Sequence, residues 1–186
     1  TKKLLDHYNI KTPTISYHQH SKLEKVDQVI QLLKEGKNLA LVSDAGTPGI
    51  SDPGNQLIEE IIGKVESVGI VPIPGVSAVT AVASISGFPM DKFLFLGFPP
   101  QKNKRKKFFE EVVSSPHPVI VYESSHRIKK SLEEIIALDS SVRVVVAREL
   151  TKKFESIYRG TPKGVMDQLD QDSAKGEFVV VVWKSK

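Results

Sequence analysis

The chain has 186 residues, 40% of them hydrophobic and 26% charged, with a formal net charge of +4 and no cysteine. That balance lies outside the disordered and fibrous classes, and without cysteine there is no disulfide framework, thiolate metal site or cysteine nucleophile. Five histidines lack metal-binding spacing, no apolar run approaches the roughly 18 residues of a membrane span, and the first residues lack a signal-peptide core, so a soluble cytoplasmic protein is expected.

Leu23, Val26, Val29, Ile30 and Leu33 recur at helical spacing ahead of Gly36, which is placed to end that helix as a C′ residue. Residues 39–42, Leu-Ala-Leu-Val, form a short apolar run that reads as a parallel strand buried on both faces. A long Gly/Pro loop follows. In it Asp52 and Pro53 suit the N-cap and N1 positions of a helix carrying Leu57, Ile58, Ile61, Ile62 and Val65.

The unit repeats with a strand at 70–73, a Pro74-Gly75 turn and a small-residue helix over 76–86 stopped by Gly87 and Pro89. Further strands are expected at 93–98, 119–122, 142–147 and 178–183, with helices at 107–113 and 128–136. Five of the six residues 102–107 are basic, while 40–100 carry only Lys64 and Lys92 as cations. The polar stretch after Pro99-Pro100 is the one clear shift in composition, which divides the chain into α/β lobes over 1–98 and 99–186. Lys102, Lys104, Arg105 and Lys106 are the candidate phosphate contacts for RNA, against the alternative of a solvated helix start. Phe108 and Phe109 are expected to pack inside the second lobe.

Residues 43–54, Ser-Asp-Ala-Gly-Thr-Pro-Gly-Ile-Ser-Asp-Pro-Gly, sit at the carboxyl end of the first expected strand, where open α/β sheets bind ligands. The glycines let backbone approach a ligand closely. The loop is neither G-x-G-x-x-G nor a P-loop, and two aspartates without a lysine disfavour nucleotide phosphates. Asp44 is the ligand-facing candidate and Asp52 the capping one.

This loop resembles the signature of the ribosomal RNA ribose-methylating branch of the tetrapyrrole methylase superfamily. The likeness continues through Pro74-Gly75-Val76-Ser77-Ala78, Tyr122-Glu123-Ser124-Ser125-His126-Arg127, Ala147-Arg148-Glu149-Leu150-Thr151-Lys152 and Gly176-Glu177-Phe178-Val179-Val180. Ser125 stands where the family motif places proline. The resemblance implies a two-lobed α/β fold with a mainly parallel first sheet and a mixed second one. It also implies a core lacking the family's amino-terminal strand and Pro/Gly loop and its carboxyl-terminal helical region.

The implied activity is methyl transfer from S-adenosyl-L-methionine to a ribose 2′-hydroxyl of small-subunit ribosomal RNA, by a homodimer with no membrane partner and no metal. The implied donor contacts are Asp44, Gly46 and Thr47, then Ser77 and Ala78 at a helix start, then Tyr122, Glu123, Ala147, Arg148, Gly176, Glu177 and Phe178. Independently of the resemblance, free N–H groups at the start of the 76–86 helix suit a ligand carboxylate. The candidates for accepting the ribose proton are Glu123, His126, Glu149 and Asp44, with Glu123 and His126 taken as the catalytic pair to test and Glu149 read as an ion-paired structural carboxylate. The competing readings are a tetrapyrrole-type small-molecule methylase and a donor-binding domain inactive as this fragment.

Overall fold

The computed structural model describes residues 1–18, 23–172 and 175–184. It divides into two compact units, Thr1–Val76 and Ser77–Lys186. The division falls ahead of the expected one at residue 98 for a physical reason. The small-residue helix after Pro74-Gly75 buries Val79 and Val82 against Ile120, Val145, Ala147, Val179 and Val181, so it belongs to the second unit's core.

The first unit contains α1 (Lys2–His7), α2 (Leu23–Lys34) and α3 (Asn55–Lys64). Val26, Val29 and Ile30 of α2 pack with Leu57 and Ile61 of α3 and with Val65. Gly36 ends α2 as expected: at φ 77° it lets Gly36 N–H donate to Leu33 O at 2.9 Å and Lys37 N–H to Leu32 O at 3.0 Å, a Schellman closure.

Two expectations fail in this unit. The apolar runs 39–42 and 70–73 are not strands, and Leu39, Leu41, Val42, Ile70, Val71 and Ile73 are exposed. Neither run has a ladder partner among the described residues, and an unpaired apolar segment leaves its backbone groups to water. The expected parallel first sheet is therefore not formed among the described residues. Asp52 does not cap α3 either: the helix begins at Asn55 with Gly54 as N-cap, and no side chain caps it.

The second unit runs α4 (Ala78–Ile85), β1 (Leu94–Phe95), α5 (Arg105–Ser114), β2 (Val119–Ser124), α6 (Ile128–Leu138), β3 (Arg143–Arg148), β4 (Ser156–Gly160), α7 (Pro162–Gln171) and β5 (Glu177–Trp183). The sheet order is β1-β2-β5-β3-β4; only the β1–β2 pair is parallel. This is the mixed second sheet that was expected.

Both faces of the sheet are covered, which is why its strands read as unbroken apolar runs. Val119, Val121, Val144, Val146, Phe178, Val180 and Val182 point into a core closed by Phe109 of α5, Leu132 of α6 and Leu169 of α7. The alternate positions point to α4. Phe109 is fully buried and Phe108 packs against the same core, as expected of both.

Candidate functional site

The second unit gathers most of the candidate residues at one end of its sheet, where β2 and β3 finish and β5 begins. The antiparallel register aligns Tyr122, Val179 and Ala147 in one row and Glu123, Phe178 and Arg148 in the next. Because side chains alternate along a strand, the two rows face opposite ways. The first row faces α4 and the second faces the α5–α6–α7 layer.

On the α4 face, Tyr122 is half-buried and joins three elements. Its N–H donates to Gly97 O at 2.9 Å. Its ring meets Phe95 edge-on at 4.9 Å and Phe98 in a tilted arrangement at 5.4 Å. Burial pushes its phenol above the usual pKa, with the Ser77 side chain and the Val79 backbone acting in the opposite direction. Ser77 is the N-cap residue of α4, and Ala81 N–H donates to its carbonyl at 2.9 Å. Ser77, Ala78, Tyr122 and Ala147 are thus brought together at a helix start, where unpaired N–H groups and the helix dipole favour an acceptor.

Across the sheet, Glu123 is buried and fully engaged. Its Oε1 accepts from Ser124 N at 2.7 Å and Arg127 Nε at 2.9 Å, and its Oε2 accepts from Ser131 Oγ at 2.6 Å. Arg105 Nη2 lies 3.6 Å from the same Oε2. With its side chain 0% exposed, Glu123 is withdrawn from the proton-acceptor and donor-contact roles expected of it. His126, by contrast, is exposed in the turn between β2 and α6.

Arg105 also departs from its expected role as a phosphate contact. It is 4% exposed, with Nε bonded to both Glu134 carboxylate oxygens at 3.0 and 2.7 Å, Nη1 donating to Pro100 O at 3.1 Å and Nη2 to Ser131 Oγ at 2.8 Å. A guanidinium so buried and engaged holds protein together instead of facing an RNA phosphate. Lys102, Lys104 and Lys106 remain exposed, with Lys106 Nζ 3.8 Å from Glu110.

Arg148 is likewise an internal tether. Its Nε donates to Lys175 O at 2.6 Å and its Nη1 stands 3.6 Å from Asp172, which also accepts from the Tyr158 hydroxyl. Phe178 is buried in the core beneath α5–α7. Glu177 is exposed and paired with Lys152 Nζ at 2.7 Å. Glu149 accepts from Glu177 N–H at 2.8 Å and from Lys152 at 3.2 Å, and the backbone hydrogen bond leads in holding its carboxyl below the usual range. Gly176 lies against that carboxylate and turns the chain into β5 at φ 116°.

In the first unit the loop 43–54 takes positive φ at Gly46, Gly49, Ser51 and Gly54. The close approach is real at Gly54, where a Cβ would lie 3.0 Å from Leu41 Cδ2 and 3.4 Å from Gly49 N. Asp44, Gly46 and Thr47 are exposed on this loop. Asp52 Oδ2 is buried and has no hydrogen-bond partner among the described residues. Also among the described residues, no His/Asp/Glu cluster could hold a metal ion and no helix is long and apolar enough to cross a membrane.

A mixed sheet with α4 on one face and three helices on the other makes the second unit a three-layer α/β protein with a helix start beside its strand ends. Residues 1–165 match the profile of the tetrapyrrole (corrin/porphyrin) methylases, and the chain belongs to that family. It is 40% identical over 183 residues to the ribosomal RNA small subunit methyltransferase I of Halalkalibacterium halodurans, covering 98% of this chain and 63% of the relative. The protein of that name from Bacillus subtilis is 40% identical over 185 residues, with 98% and 62% covered. The chain therefore spans less than two thirds of these relatives' length.

Among solved structures, the cobalamin biosynthetic enzyme cobalt precorrin-4 methyltransferase matches with TM-score 0.63 and 20% identity over 95% of this chain and 78% of that one. Uroporphyrin-III C-methyl transferase from Thermus thermophilus, complexed with S-adenyl homocysteine, matches with TM-score 0.57 and 13% identity over 90% and 75%. These likenesses show the fold.

Proposed function

We propose that the chain is the core of an S-adenosyl-L-methionine-dependent methyltransferase acting on a ribose 2′-hydroxyl of small-subunit ribosomal RNA. The observation that carries this reading is the 40% identity, over 98% of the chain, to relatives named ribosomal RNA small subunit methyltransferase I. A homodimer working in the cytoplasm belongs to the same reading. A tetrapyrrole substrate is the weaker alternative, since the solved tetrapyrrole enzymes resemble the chain at 20% identity or less.

The helix start fits the donor. Backbone N–H groups of the first turn of α4 suit a carboxylate, Ser77 adds a hydroxyl, and Tyr122 offers aromatic surface beside it. For Asp44, Gly46 and Thr47 a donor contact rests on the resemblance of the 43–54 loop to the family signature. When bound, the donor supplies a methyl group already activated by its sulfonium. The protein's own work is then to align the acceptor, exclude water and take the ribose proton. With Glu123 buried and ion-paired, we assign proton acceptance to His126, whose exposed imidazole offers a ring nitrogen as acceptor.

Calorimetric titration of S-adenosylhomocysteine into the chain tests the donor site. Binding that weakens about ten-fold in Asp44→Ala and in Ser77→Ala is the expected result, a loss of about 1.4 kcal/mol each. Binding unaltered by both substitutions would overturn the site. Methylation of small-subunit RNA by wild type and His126→Gln, with product digested to nucleosides, tests the substrate and the proton acceptor together.

A further inference from the structure

We propose that Phe98 is a stacking platform for an unpaired RNA base, with Lys102 and Lys104 holding the phosphates on either side of it. The inference rests on the RNA reading above and names the part of the RNA that this surface takes.

Phe98 is 50% exposed, which for one apolar residue on a surface means little. What sets it apart is how firmly it is held. Gly97 before it and Pro99 after it are buried, and Gly97 O accepts from Tyr122 N–H at 2.9 Å. Its own ring rests on Tyr122, which rests in turn on Phe95. Two residues on, Pro100 O is held by Arg105 Nη1, and Arg105 is locked to Glu134 and Ser131. The segment closes in a turn at Lys104, φ 65°, whose carbonyl accepts from Phe108 N–H at 3.0 Å.

A ring fixed in this way loses little freedom when a flat partner covers it. The charge around it selects the partner. From Lys92 to Phe109 there is no acidic residue, while Lys102, Lys104, Lys106 and Lys107 are all exposed. An aromatic face four residues from a cluster of solvated cations matches a base with its flanking phosphates. A duplex keeps its bases stacked on one another and offers only phosphates. Phe98 therefore discriminates for unpaired RNA, and the lysines add affinity without discrimination.

The test uses fluorescence anisotropy with a ribosomal RNA single strand of about ten nucleotides, within the size one such surface covers, and a duplex of the same sequence. Phe98→Ala should weaken the single strand about ten-fold, at the lower end of a stacked base's contribution, while leaving duplex affinity and the salt slope unchanged. Phe98→Trp should restore binding, and a 2-aminopurine placed in the strand should be quenched by wild type and the Trp variant but not by the Ala variant. Thermal melting of each variant confirms that the half-exposed site leaves the fold intact. Single-strand affinity unchanged in Phe98→Ala, or equal losses for strand and duplex, would overturn the platform while leaving the RNA reading standing. A wild-type chain that binds neither RNA overturns both.

Discussion

A Cβ added at Gly176 would lie 2.6 Å from Glu149 Cγ and 2.8 Å from its Oε1. The glycine is thus where the chain passes under a carboxylate that ties β3 to the start of β5, with Glu149 N–H also donating to Glu177 O at 2.9 Å. Gly176→Ala meets both the clash and a φ of 116° that side chains avoid. We expect it to destabilise by about 2 kcal/mol in urea unfolding. Gly63→Ala is the control, since nothing lies within 4 Å of a Cβ in that helix and alanine there should gain up to about 0.5 kcal/mol.

The residues around that contact show what was readable from sequence. β2, β3 and β5 were legible because a sheet covered on both faces leaves continuous valine-rich runs. The same pattern misleads at 39–42 and 70–73, because apolar content marks a strand only where a partner strand is present to pair with it. β4 and α7 were missed although a signal existed: Thr161 caps α7 by accepting from Gly164 N–H at 3.2 Å, with Pro162 at N1. Strand alternation alone places Tyr122 and Glu123 on opposite faces, so they could not both line one pocket. Arg105 was beyond sequence reasoning, because its partners Ser131 and Glu134 lie 26 and 29 residues away on α6.

Asp139, at the end of α6, accepts from Lys184 Nζ at 2.6 Å and from Ser141 N–H and Oγ at 2.9 and 2.6 Å. The Lys184 and Ser141 hydrogen bonds lower its pKa to about 2, from a usual 3.8. A depressed carboxyl pKa contributes stability that is present above the unfolded value and lost as pH falls through the folded one. The melting-temperature advantage of wild type over Asp139→Asn should accordingly hold above about pH 4 and fade towards about pH 2. A difference that stays constant from pH 5 to about pH 2 would contradict the linkage.

Arg105→Ala removes the partner shared by Glu134, Ser131 and Pro100 O and leaves Glu123 with one cation fewer in a buried site. Breaking a buried ion pair costs about 3 to 5 kcal/mol. Loss of about 3 kcal/mol in chemical unfolding is expected, with Arg105→Lys recovering only part, because one ammonium nitrogen cannot reach Glu134, Pro100 O and Ser131 together as the three guanidinium nitrogens do. A change under about 0.5 kcal/mol would place Arg105 among ordinary surface residues.

Its neighbours Lys102, Lys104 and Lys106 should behave in the opposite way. All three are exposed, and the single pairing of Lys106 with Glu110 at 3.8 Å is a solvated one that contributes little. Substituting all three by serine should therefore leave the unfolding midpoint nearly unchanged. If each holds one RNA phosphate, the slope of log affinity against log salt should shallow by about 2 for single-stranded RNA. Adding Phe98→Ala to the triple variant should lower affinity further without altering that slope, since stacking releases no counterions. Anisotropy titrations at several salt concentrations measure both effects in one series. A triple variant with the wild-type slope would reduce the basic stretch to a solvated helix start, and the RNA reading would then rest on the relatives' identity alone.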